Sequence, residues 1–147
     1  MKKIVLCITL SLLFAGAAFA QRDLACYPVF QGKIVPGKQM VVTEVRGGNL
    51  VPYKLDYYRG VSFQVDAEMA VKVARLVDSD ALDAKSAETE RIGEFLTYAL
   101  LEPQSSGSMN RYLCYQARRV GDKWKVTLLY LEGPATLEDL RSVFDKQ

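Results

Sequence analysis

Apolar and polar positions alternate along the chain with two periods, one of two residues and one near 3.6, and these mark out strands and helices. An opening apolar run from Ile4 to Phe14 has neither period. Residues 21–38 are irregular, because Pro28, Gly32, Pro36 and Gly37 interrupt any pattern. Met40 to Val45 reads as a strand, Gly47-Gly48-Asn49 as a turn, and Leu50 to Tyr57 as a second strand with Pro52 near an edge or an irregular start. After Arg59-Gly60, Val61, Phe63 and Val65 fall on one side and Ser62, Gln64 and Asp66 on the other, which predicts a half-buried third strand.

Asp66 is placed to cap a helix over Ala67 to Val77, with Met69, Val73, Leu76 and Val77 toward a core and Glu68, Lys72 and Arg75 outward. Asp78 to Glu90 is acidic and poor in large apolar groups, so it reads as a loop with a short helix. Gly93 to Glu102, Asn110 to Arg119 and Lys123 to Leu131 read as three strands, joined by Pro103 to Ser108 and by Gly121-Asp122. Connectors that short imply antiparallel neighbours. Gly133-Pro134 ends the last strand, and Thr136 with Asp139 forms a capping box before a helix whose stripe is Leu137, Leu140, Val143 and Phe144. The pattern predicts an α+β fold: one antiparallel sheet from two β-β-β-α stretches, with both helices packed on it. A faint echo between Val65–Val77 and Leu131–Val143 accompanies that order.

The first twenty residues change the picture of what folds. Lys2 and Lys3 precede the apolar run, and Ala18-Phe19-Ala20 precedes the abrupt polar switch at Gln21-Arg22-Asp23. A basic start, an apolar core and a small-x-small site are the parts of a secretory signal. The run falls short of the roughly 20 apolar residues of a membrane span. Gln21 stands where a lipoprotein needs cysteine, so the expectation is an exported product without a transmembrane or lipid anchor. It would carry a signal peptide at 1–20 and a single domain at 21–147.

Removing that leader also removes two of the 19 basic residues, which leaves the rest balanced against 17 acidic ones. A neutral domain has no general field to attract nucleic acid. Histidine is absent, which excludes His-based proton shuttles, Ser-His and Cys-His nucleophile pairs and the commonest zinc ligand. No phosphate loop or other cofactor motif is legible: Asp78-Ser79-Asp80 with Asp83 fails the spacing of a calcium loop, and the serines of 105–108 lack a nucleophile elbow.

Cys26 and Cys114 would remain after cleavage. In an oxidising compartment they are a disulfide candidate, and two buried thiols acting as small hydrophobes fit the spacing equally well. Aromatics fall mostly in strands, where they are good strand formers. Tyr112, opposite the Leu113, Tyr115 and Ala117 face, is the one best placed to meet a ligand. Arg111, Arg118, Arg119, Lys123 and Lys125 cluster around the last two hairpins, where positive charge protects an edge or receives an acidic partner.

Tyr130-Leu131-Glu132-Gly133, Ala135-Thr136-Leu137, Leu140-Arg141 and Phe144, with Asn110-Arg111-Tyr112-Leu113, resemble the C-terminal signature of small exported proteins of unknown function from Gram-negative bacteria of the Bacteroidetes type. The resemblance implies an envelope or secreted location and supplies no site residues. The expectation is a non-enzymatic binding or interaction module of the envelope, its partner a protein, peptide or glycan. Two alternatives stand beside it. One is a hydrolase using two of Asp56, Asp66, Glu94, Glu102 and Glu132. The other is a structural or dimeric component joined through a strand edge or sheet face.

Overall fold

The computed structural model describes residues 22–105 and 109–144. The signal-peptide reading and that of Ser106 to Ser108 as a turn lie outside the described residues. In chain order come a one-turn helix α1 (Tyr27–Phe30), β1 (Val41–Arg46), a 3-10 helix (Gly48–Tyr53), β2 (Tyr57–Val65), α2 (Ala67–Asp83), β3 (Ser86–Ile92), β4 (Phe95–Glu102), β5 (Asn110–Val120), β6 (Lys123–Gly133) and α3 (Leu137–Phe144). The strands form one antiparallel sheet in the order β1-β2-β6-β5-β4-β3.

The fold is α+β as expected, with a different division of its strands. Leu50 to Tyr57 is not a strand. Residues Gly48–Tyr53 wind into the 3-10 helix around Pro52, and Lys54 closes it in the left-handed conformation. Tyr57 then starts a strand that runs unbroken through Arg59-Gly60 to Val65. Downstream, α2 continues past Val77 to Asp83, and the supposed loop at 86–92 is the edge strand β3. Two strands therefore precede the long helix and four follow it, so there is no repeated β-β-β-α unit.

Both helix starts form as their sequences dictate. The Asp66 carboxylate accepts the Met69 amide at 2.8 Å. Thr136 and Asp139 exchange two hydrogen bonds, Thr136 N–H to Asp139 Oδ2 at 2.9 Å and Asp139 N–H to Thr136 Oγ1 at 3.1 Å.

The sheet is covered on both faces. On one, Val73 and Val77 of α2 pack with Val61, Phe63, Tyr115 and Leu128, and the N-terminal segment adds Cys26, Val29, Phe30 and Val35. On the other, Leu50, Leu55, Ala135 and Leu140 pack over Leu100, Tyr112, Cys114 and Leu131. Arg141 of α3 pairs there with Glu88 of β3. Buried polar anchors fasten the N-terminal segment to the α2 face. Asp80 accepts the Ala25 amide at 2.6 Å and the Cys26 amide at 3.0 Å. Arg111 grips the Asp23 carboxylate at 2.8 Å through Nη1 and the Gln104 carbonyl at 2.8 Å through Nε.

Candidate functional site

The sheet is not continuous at one end. β4 pairs with β5 only from Tyr98–Gln116 to Leu101–Leu113. β5 goes on to Val120, and there its register partners are on β6 alone, Arg118 opposite Lys125 and Val120 opposite Lys123. The β3–β4 hairpin shifts register there, from Glu90 opposite Tyr98 to Arg91 opposite Leu96, so Thr97 of β4 is an extra residue, and such a bulge bends the strand that carries it. Gly93, at φ +60°, makes the tight turn at the tip of that hairpin.

A hollow opens on each face of this parting. On the α2 face is a cleft of about 240 Å³. Ala70 and Ala74 of α2 and Ala117 of β5 leave the space, Leu96 lies alongside, and Phe95 and Trp124 form a wall. The two rings stack with centroids 4.8 Å apart and an interplanar angle of 22°. Arg75, Asp78, Arg91 and Glu94 ring the cleft, and Asp78 is already paired to Arg91. Tyr115 also lines it, and burial pushes its phenol up to about 12, with Asp78 adding to the shift.

On the α3 face, beyond the reach of that helix, is a wider groove of about 500 Å³. Its lining is polar: Thr97, Tyr98, Gln116, Arg118, Lys125 and Thr127, with Glu90 on β3. Arg118 and Lys125 are directly opposite one another, and among the described residues neither is in an ion pair. Like charges facing across a strand pair are unfavourable, so this arrangement is one that an anion relieves.

The residues singled out from sequence are placed otherwise. Tyr112 is 1 % exposed, and its hydroxyl donates to the Ala135 carbonyl at 2.7 Å. It fastens the segment before α3 to the sheet and faces no open site. Cys26 and Cys114 are both free and buried, in the separate cores on opposite faces of the sheet. The structure thus has two buried thiols and no Cys26–Cys114 bond. Desolvation raises both, Cys114 to about 12.

The cation cluster divides. Arg111 is buried as the anchor of Asp23, whereas Arg118 and Lys125 line the groove. The carboxylates named for a hydrolase are also scattered. Asp66 caps α2, Glu132 accepts the Tyr130 hydroxyl at 2.9 Å, and of the five only Glu94 lines the cleft. Sequence reasoning missed the cleft itself. Its signal was small residues where large ones are usual: Ala70 and Ala74 one turn apart on an otherwise apolar helix face, and Ala117 in a strand rich in bulky side chains.

Comparison with curated proteins finds no match to the chain. The model of the family of unknown function DUF6108 matches residues 13–144, nearly the whole sequence, and the chain belongs to that family.

Proposed function

We propose that this is an exported binding module of the bacterial envelope, of the Bacteroidetes-type group that its sequence resembles. It seats one apolar side chain or ring in the cleft between α2 and the sheet. The observation that carries the reading is the cleft: three alanines leave a space beside a stacked Phe95–Trp124 wall. At about 240 Å³ it is smaller than the roughly 300–1,000 Å³ of pockets for whole small molecules, so it suits one group of a larger partner. Burying a leucine-sized group there contributes about 2 kcal/mol, a factor of about 30 in affinity. Asp78, one of the two acids of the cleft, is engaged by Arg91, which favours binding over acid–base work. The leader-like residues 1–20 support export.

Trp124 is the single tryptophan of the chain, so with tryptophan-free partners the emission reports on the cleft alone. Titrating the protein with envelope proteins, peptides and glycans should give a saturable change in emission from at least one of them, and Ala74→Leu, which fills the cleft, should abolish it. Binding that survives Ala74→Leu, or catalytic turnover of the ligand, would overturn the reading. Retention of residues 1–20 in protein recovered from its host would remove the exported part.

A further inference from the structure

We infer that the occupant is an extended acidic peptide that adds to the open side of β5 as a strand. It would set one apolar side chain into the cleft and the carboxylates on either side of it in sequence into the groove. The inference rests on the cleft reading and names its partner. Three observations meet at one place. The β4–β5 ladder stops at Tyr98–Gln116 while β5 continues to Val120, so the backbone of Ala117–Val120 has a strand neighbour on the β6 side only. Main-chain groups on such an edge give affinity to an added strand, and pockets for alternate side chains give it specificity.

The two hollows lie on opposite faces of this same segment and share Ala117 in their linings. Successive side chains of a strand point to opposite faces, so one added strand reaches both. Finally, the hollows differ in chemistry. The cleft offers alanines and aromatic rings, and the groove offers the like-charged Arg118–Lys125 pair beside Gln116 and Thr127, two cations against the one carboxylate of Glu90 on β3. An apolar residue followed by an acidic one matches both. Arginine and lysine on an edge repel indiscriminate pairing, and here they would also select a partner of opposite charge.

The test uses the protein as recovered from its host and the probe acetyl-Glu-Leu-Glu-Leu-Glu-Leu-amide. On binding, hydrogen exchange should slow by about tenfold or more at those amides of Ala117–Val120 that point away from β6. The same peptide with Lys for Glu should bind at least about tenfold more weakly, and Arg118→Glu should weaken the acidic probe to a similar degree. N-methylation separates strand addition from groove filling. Methylating either the Glu amides or the Leu amides should abolish binding, and methylating the other set should leave it intact, because alternate amides face β5. Equal binding of the two methylated peptides, or unchanged exchange at Ala117–Val120, would overturn the inference. If another ligand then still moves Trp124 emission and Ala74→Leu still blocks it, the cleft reading stands without the strand. If exchange slows and Ala74→Leu changes nothing, the strand stands without the cleft.

Discussion

Single side chains in this protein are often polar groups used as rivets. Arg111 is 8 % exposed and is satisfied by Asp23 and the Gln104 carbonyl, and that contact also holds the Asp23 carboxyl below its usual range. Asp80 is tied to the amides of Ala25 and Cys26, although burial pushes its own pKa up. Tyr112 is the clearest case, since its hydroxyl is buried against a carbonyl 2.7 Å away. Tyr112→Phe keeps the ring and removes one of two donors to that carbonyl, the Asn110 amide remaining at 3.0 Å, so it should cost about 0.5–1.5 kcal/mol in urea denaturation. Trp124 emission in the native state should not change, because the cleft is on the other face of the sheet. The sequence correctly put Tyr112 in a strand and opposite Leu113 and Tyr115. It could not show that this second face is covered by Ala135 and Leu140, more than twenty positions later.

At the level of elements, periodicity succeeded where one face is buried and the other is wet. The Val61–Val65 part of β2 and the starts of α2 and α3 are of this kind, whereas β5 and β6, buried on both faces over much of their length, were legible as apolar runs bounded by turn residues. It failed for β3, whose residues are mostly exposed at the sheet edge and have almost no apolar alternation to display. It failed again at Leu50 to Tyr57. There Leu50 and Leu55 do turn inward, but from a 3-10 helix and the bend after it, which a short apolar run does not distinguish from a strand. That bend is held tightly against the end of β6. A Cβ on Gly133 would lie 2.6 Å from Leu55 Cα and 2.8 Å from the Lys54 carbonyl oxygen, both backbone atoms that have no rotamer to yield. Gly133→Ala should therefore destabilise the fold by about 1–3 kcal/mol with an unchanged urea m-value. Gly37→Ala, whose Cβ meets nothing within 4 Å, is the control and should stay within about 0.5 kcal/mol of the parent.

The whole molecule is a sheet between two cores, and its buried ionisable groups are mostly acids kept neutral. Desolvation raises Cys26 and Cys114 above the ordinary thiol value of 9.0, and it takes the phenols of Tyr112 and Tyr115 from 10.0 to about 12. A folded value above the unfolded one means that the stabilisation is complete below the unfolded value and is lost as pH rises through the folded one. The urea midpoint should therefore fall steadily above about pH 9, with phenolate absorbance rising as the cores open. A thiol reagent should label neither Cys26 nor Cys114 in the native protein and both of these in urea without reductant; labelling of the pair that requires a reductant would show that the two are bonded.

By itself the sequence determined the α+β class, the N-terminal caps of α2 and α3, the antiparallel C-terminal hairpins and the lack of histidine chemistry. Each of these depends on neighbours within a few positions or on composition alone. Tertiary structure decided which faces are covered, which cations are anchors and which line a groove, and where β4 parts from β5. Those are relations between residues far apart in the chain, set by how the layers pack, and a local pattern carries no record of them.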